Sequence, residues 1–249
     1  RALPGATIHD SLIHDRAQQP QRESRMNRPT DAAPRRIKVW DLPVRLSHWV
    51  MAGLVAALLV TGFKGNLGLH VQLGQILLVV LAFRIVWGFL GSTTARFTDF
   101  IRGPAAIIGY LRTGFSATPG HSPVGALSVV ALLGILSWQV GTGLFSQDEI
   151  GIDQGPFAGK IAGELSSRIS GWHSTSKWIV LALIVLHILA IFYYAIAKRT
   201  DLVGPMVTGS KKVAPGLPWR DTSGYSLLLA TAILALIAGG WFAILKLAV

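Results

Sequence analysis

Four histidines lie within or at the ends of long apolar runs: His48, His70, His173 and His187. An imidazole is costly to hold in hydrocarbon and usually marks function there. Neutral imidazole is also a common metal ligand, through either ring nitrogen. His173 and His187 share one run, "RISGWHSTSKWIVLALIVLHILA", and stand fourteen residues apart. On a helix that separation spans about 21 Å and returns to within roughly 40° of the same azimuth. Both rings would then face one seam of a bundle at two depths, and each would need its partner from another helix.

The elements that must position them follow from composition. Of 249 residues, 51% are hydrophobic and 14% charged, so a bilayer is expected to be part of the solvent. A bilayer core of about 30 Å needs roughly 20 mainly apolar residues per helix. Five such runs occur, at residues 46–63, 70–90, 122–145, about 172–197 and 225–249. They are continuous and rich in Leu and Ala, not short and alternating, so strands are not expected. The expected fold class is all-α, an integral membrane helix bundle, with no evident internal repeat. Trp49, Trp87, Trp138, Trp172, Trp178 and Trp241 fall toward the ends of runs, where indole prefers the headgroup level.

Residues 1–39 are rich in Arg, Pro, Gln and Ser without an apolar run, and read as a disordered basic tail. Its part before Met26 is expected to be non-native, and nothing functional is assigned to His9 or His14. Orientation follows the distribution of Lys and Arg beside the spans. Residues 1–45 hold nine, 91–121 three and 198–224 five. The 64–69 connection holds only Lys64, and 146–171 has two basic residues against four acidic ones. The three basic segments share a side if five helices alternate, which predicts a cytoplasmic N-terminus and a periplasmic C-terminus.

This topology puts His48 with His187 at the cytoplasmic level and His70 with His173 at the outer level, each pair on different helices. Two levels of paired imidazoles suit two bis-histidine haems, because haem iron takes histidine axially and a bundle core is a normal place for such ligands. A catalytic zinc site wants three converging ligands, and ion translocation wants carboxylates in the membrane. The runs contain no Asp or Glu, and the chain contains no Cys, which excludes disulfides, thiolate-held clusters and c-type haem attachment. The net charge of +11 sits at helix ends and in the tail, so no nucleic-acid partner is expected. Arg84 would either pair with a propionate of the inner haem or snorkel to the headgroups. His121, in "GHSPVG", is either loop and cap chemistry or a propionate or quinone contact. Gly53, Gly74, Gly125, Gly134, Gly141 and Gly143 would let a flat macrocycle or a neighbouring helix approach.

The phrases "VWDLPVRLSHW" (39–49), "LHVQLG" (69–74), "FRIVWGFLGSTTARFTDFIRGP" (83–104), "GHSPVGAL" (120–127), "QVGTGLFSQDEI" (139–150), "GWHSTSKW" (171–178) and "AKRTDLVGPMVTG" (197–209) run in order along the chain. With them the sequence resembles the bacterial diheme cytochrome b family, the five-six-one type that includes Ni-Fe hydrogenase cytochrome b subunits. The resemblance implies a four-helix haem-binding core over residues 40–212, with a linker and a fifth transmembrane helix at 213–249 outside it. It places the axial ligands on His48, His70, His173 and His187. It further implies two b haems in the inner membrane, passing electrons in respiratory transport between quinone and a redox partner: a periplasmic cytochrome c, a hydrogenase or another dehydrogenase. Two alternatives stay open, a superoxide-oxidising quinone reductase and a non-redox membrane anchor, as does a homodimer.

Overall fold

The computed structural model describes residues 34–114, 118–148, 152, 154–214, 217 and 219–248. The long helices are α1 (Leu42–Phe63), α2 (Leu67–Leu90), α5 (Pro123–Gly143), α6 (Gly163–Ile196) and α8 (Leu227–Ala248). Shorter helices α3 (Phe97–Phe100), α4 (Pro104–Thr113) and α7 (Val203–Thr208) lie in two connections, and a 3₁₀ turn covers Ala158–Lys160. Strands β1 (Arg35–Lys38) and β2 (Ser210–Val213) pair with each other. β1 lies in the stretch where the sequence suggested no element, and residues 1–33, with His9 and His14, fall outside the described part.

The chain divides into two units, Arg1–Ile37 with Lys212–Trp219, and Lys38–Lys211 with Arg220–Val249. In the smaller, Ile37 and Val213 are buried, and the Arg35 guanidinium donates to the carbonyls of Leu217 and Trp219. The larger unit contains all the long helices.

Helix starts are set by capping side chains that an apolar scan does not see. Asp41 caps α1 by accepting from Val44 N at 2.7 Å, with Pro43 in the first turn, so the helix begins four residues before its apolar run. Asn66 caps α2 after a left-handed Gly65 (φ 71°), which makes the α1–α2 connection only three residues long. Ser122 caps α5 through Gly125 N at 3.1 Å. α6 starts nine residues before the expected position, in the polar stretch "GELSSRISG". There Ser166 donates to Phe145 O at 2.7 Å and Ser170 to Gln147 O at 3.1 Å, fixing the extension to the end of α5 and the loop after it.

Among the described residues five helices are long and apolar enough to cross a membrane, and most of their apolar windows are not buried: the buried share runs from 6% in α5 and α6 to 33% in α2. Exposed leucines at that density would aggregate in water and suit lipid. α1 packs along α2, α5 along α6, and α2 also contacts α5 and α8, whereas α6 does not pack closely on α1 or α2. Met51, Val55, Leu77, Leu81 and Val180 form one core cluster. Val44, Phe83, Trp87, Ala95, Ala230 and Ile233 form another, between α1, α2 and α8. Trp87 is 0% exposed and donates to the buried Asp41 carboxylate at 3.1 Å, so it is a core residue and not the interfacial anchor its position suggested. Trp49, Trp138, Trp172 and Trp178 are exposed, as anchoring rings would be.

Candidate cofactor site

His70 on α2 and His173 on α6 face each other with ring centroids 6.0 Å apart and planes at 90°. One metal bound at about 2 Å from a nitrogen of each ring would set the centres roughly 6 Å apart, so the spacing fits a shared ion. Each ring is pinned through Nδ1. In His70 it lies 3.0 Å from Leu58 O and 3.3 Å from Thr61 Oγ1. In His173 it lies 2.9 Å from Gln139 O and 3.2 Å from Thr142 Oγ1. A carbonyl can only accept, so Nδ1 carries the proton and Nε2 keeps the lone pair that binds metal. The Gln139 amide sits 3.3 Å from His173 Nε2 and must give way for that nitrogen to ligate. Its other partners, His173 O at 3.0 Å and Ser176 Oγ at 2.5 Å, lie on α6.

These rings line a cavity of about 570 Å³ bounded by α1, α2, α5 and α6. Its walls are mainly apolar, from Val55, Leu59, Leu77, Leu136, Val140 and Val180, with Lys177 the cation in the lining. That volume lies in the ordinary range for ligand pockets of roughly 300–1,000 Å³. An added Cβ would reach the His70 ring at 3.3 Å from Gly62 and the His173 ring at 3.1 Å from Gly143, so glycine lets each imidazole lie against the opposite helix. At Gly53, Gly74, Gly134 and Gly141 an added Cβ would meet nothing within 4 Å. Close helix packing therefore does not explain those four, and Gly74 lines the cavity.

The other pair is arranged differently. His48 on α1 is half-buried and within electrostatic reach of His187 on α6 and of Arg84 on α2. Its Nδ1 is shielded and has no hydrogen-bond partner among the described residues. Arg84 is 5% exposed, so it does not snorkel, and its Nη1 is likewise without a partner. Asp41 is the carboxylate within its electrostatic reach. A buried guanidinium with an unused donor suits an added anionic group, such as a haem propionate. His121 comes to this end as well, its ring 4.6 Å from Trp40 and 4.4 Å from Phe100. Burial pushes its pKa down to about 3, with repulsion from Arg84 and His48 adding to the shift. Among the described residues no three His, Asp or Glu side chains form a metal-binding group. What the helices present is one close pair, His70 and His173, and a second, His48 and His187, within electrostatic reach of each other.

Thr61, Thr142, Gly62 and Gln139 were not marked by the sequence reading, although a repeated signal exists. "VTGF" ends α1 and "GTGL" ends α5, each setting a Thr-Gly pair against a histidine of the next long helix.

The probable Ni/Fe-hydrogenase B-type cytochrome subunit of Bradyrhizobium diazoefficiens is 23% identical over 229 residues, covering 76% of this chain and 89% of that one. The probable Ni/Fe-hydrogenase 1 B-type cytochrome subunit of Escherichia coli K12 is 24% identical over 208 residues, covering 69% and 88%. A corresponding subunit from Cupriavidus necator is 25% identical over 210 residues, covering 69% and 85%. No solved structure matches the chain. The family model for prokaryotic cytochrome b561 matches residues 39–209, a stretch that holds all four span histidines, and the chain belongs to that family of membrane-embedded b-type electron carriers.

Proposed function

We propose that this protein carries electrons across the bacterial inner membrane on two b haems, one held by His70 and His173 and the other by His48 and His187. The observation that carries this reading is the perpendicular His70–His173 pair across an apolar cavity, with both Nδ1 atoms already engaged. In a continuous α6 the two levels lie about 21 Å apart, so a cofactor at each would divide the low-dielectric crossing into shorter steps.

Haem supplies a one-electron iron couple when bound. The chain's own residues hold and tune it. Leu58 O and Gln139 O orient the ligand rings at one end. Arg84 offers a buried positive charge to a propionate at the other. Mainly apolar walls from α1, α2, α5 and α6 surround the His70/His173 cavity. The core is these four helices, with α8 braced against α2 outside it. Basic connections put the N-terminus in the cytoplasm and the His70/His173 level toward the periplasm. Quinone is the membrane partner, and a hydrogenase, dehydrogenase or cytochrome c the protein partner; of these, the relatives' names carry only the Ni/Fe-hydrogenase.

The test is a dithionite-reduced minus oxidised spectrum of purified protein with a pyridine haemochrome assay. About two b haems per chain is the expected result. Protein made with ample haem that contained none would sink the proposal.

A further inference from the structure

The two histidine pairs differ in what their Nδ1 atoms meet. Thr61 and Thr142 are both buried, at 8% exposure. Each hydroxyl spends its proton on its own helix: Thr61 Oγ1 donates to Ala57 O at 2.9 Å, and Thr142 Oγ1 to Trp138 O at 2.8 Å. Its lone pairs are left facing the imidazole, so at His70 and at His173 the Nδ1 proton meets both a carbonyl and a hydroxyl oxygen. The neighbouring Gly62 and Gly143 allow the rings to come that close. Neither His48 nor His187 has a side-chain hydrogen bond among the described residues, and Arg84 stands within electrostatic reach of His48.

Acceptors on Nδ1–H make an imidazole a stronger electron donor to its metal and favour the oxidised ion. A nearby cation favours the reduced one; Arg84 has Asp41 within its electrostatic reach and Lys177 stands within reach of His173, so the hydrogen bonds at Nδ1 carry the comparison.

We propose that Thr61 and Thr142 are matched positioning residues which, by accepting from Nδ1 of His70 and His173, set the haem at that end to a lower reduction potential than the haem at the His48/His187 end. The inference rests on the two-haem reading above. It gives the pair a downhill direction, from the His70/His173 end toward the His48/His187 end.

The experiment is a redox titration of purified haem-loaded protein, with low-temperature electron paramagnetic resonance of each component. The variants are Thr61→Val, Thr142→Val, the double variant, and Thr61→Ser with Thr142→Ser. His173→Ala identifies which component belongs to which end. The lower-potential component is expected to shift upward in each Val variant and further in the double variant. The higher component should stay in place, and the Ser variants, which restore an acceptor oxygen, should return toward wild type. Unchanged potentials with both haems retained would overturn the inference, as would a shift confined to the higher component. Loss of haem from a Val variant, with no shift in Thr142→Ala, would show packing alone and overturn it too. Wild-type protein without haem would instead remove the two-haem reading beneath it.

Discussion

At the His70/His173 end, the imidazoles are oriented by oxygens of the long helices themselves: Leu58, Thr61, Gln139 and Thr142 all belong to α1 or α5. At the His48/His187 end, the surroundings come from elsewhere, with Trp40 before α1, Phe97 and Phe100 on α3, His121 before α5 and the Arg84 charge. One end therefore has both of its Nδ1 atoms engaged within the protein, with Lys177 and Asp148 in the cavity lining. The other holds a buried cation and, among the described residues, three unpartnered donors or acceptors: Arg84 Nη1, His48 Nδ1 and His121 Nδ1. The difference teaches that two histidine pairs of one family core can stand in unlike surroundings, one ordered by oxygens of the long helices and one beside a buried cation.

The largest effect expected is from the ligands. His173→Ala should remove one spectral component, and His48→Ala the other, each leaving about one haem per chain. Loss of the same component in both variants would break the pairing and the comparison with it. Next comes Arg84→Leu, which should weaken haem retention at the His48/His187 end by about 10- to 100-fold and leave the other end alone. Haem transfer to apomyoglobin, followed by component spectra, would reveal equal loss at both ends if Arg84 acted only through the fold.

Gly143→Ala is expected to crowd the His173 ring and cost about 1–3 kcal/mol of thermal stability in detergent, with a disturbed signal from that end. An unperturbed signal would mean the ring gives way freely, contrary to a rigid site. The smallest effect concerns His121. Its pKa in the fold is about 3, against an ordinary value of 6.5, so the unfolded chain binds the proton more readily. This group is neutral in both states well above 6.5 and lowers stability progressively as the pH drops from there toward 3. His121→Phe should flatten that acid limb of a melting-temperature profile. An unchanged limb would detach His121 from the charged end.

Much of this was legible in one dimension. The five spans announce themselves as apolar runs, and histidines in such runs are conspicuous because titratable groups are rare there. The early start of α6 was hidden because the helix continues past the membrane border on serines, where hydropathy carries no signal. Trp87 looked interfacial because its place near a span end says nothing of Asp41, which stands 46 residues away. Thr61 and Thr142 were silent for a different reason. Threonine bonding back to its own helix is ordinary, and only the approach of the neighbouring helix shows which lone pair remains.

The loose fit of α6 against α1 and α2 has a consequence for how the protein is made. Each hairpin, α1 with α2 and α5 with α6, can enter the bilayer as a finished piece, since its own contacts lie between consecutive segments of a growing chain. Only α2 against α5 ties one hairpin closely to the other. α6, which carries His173 and His187, then meets α1 and α2 through side chains, Val180 against Met51, Val55, Leu77 and Leu81.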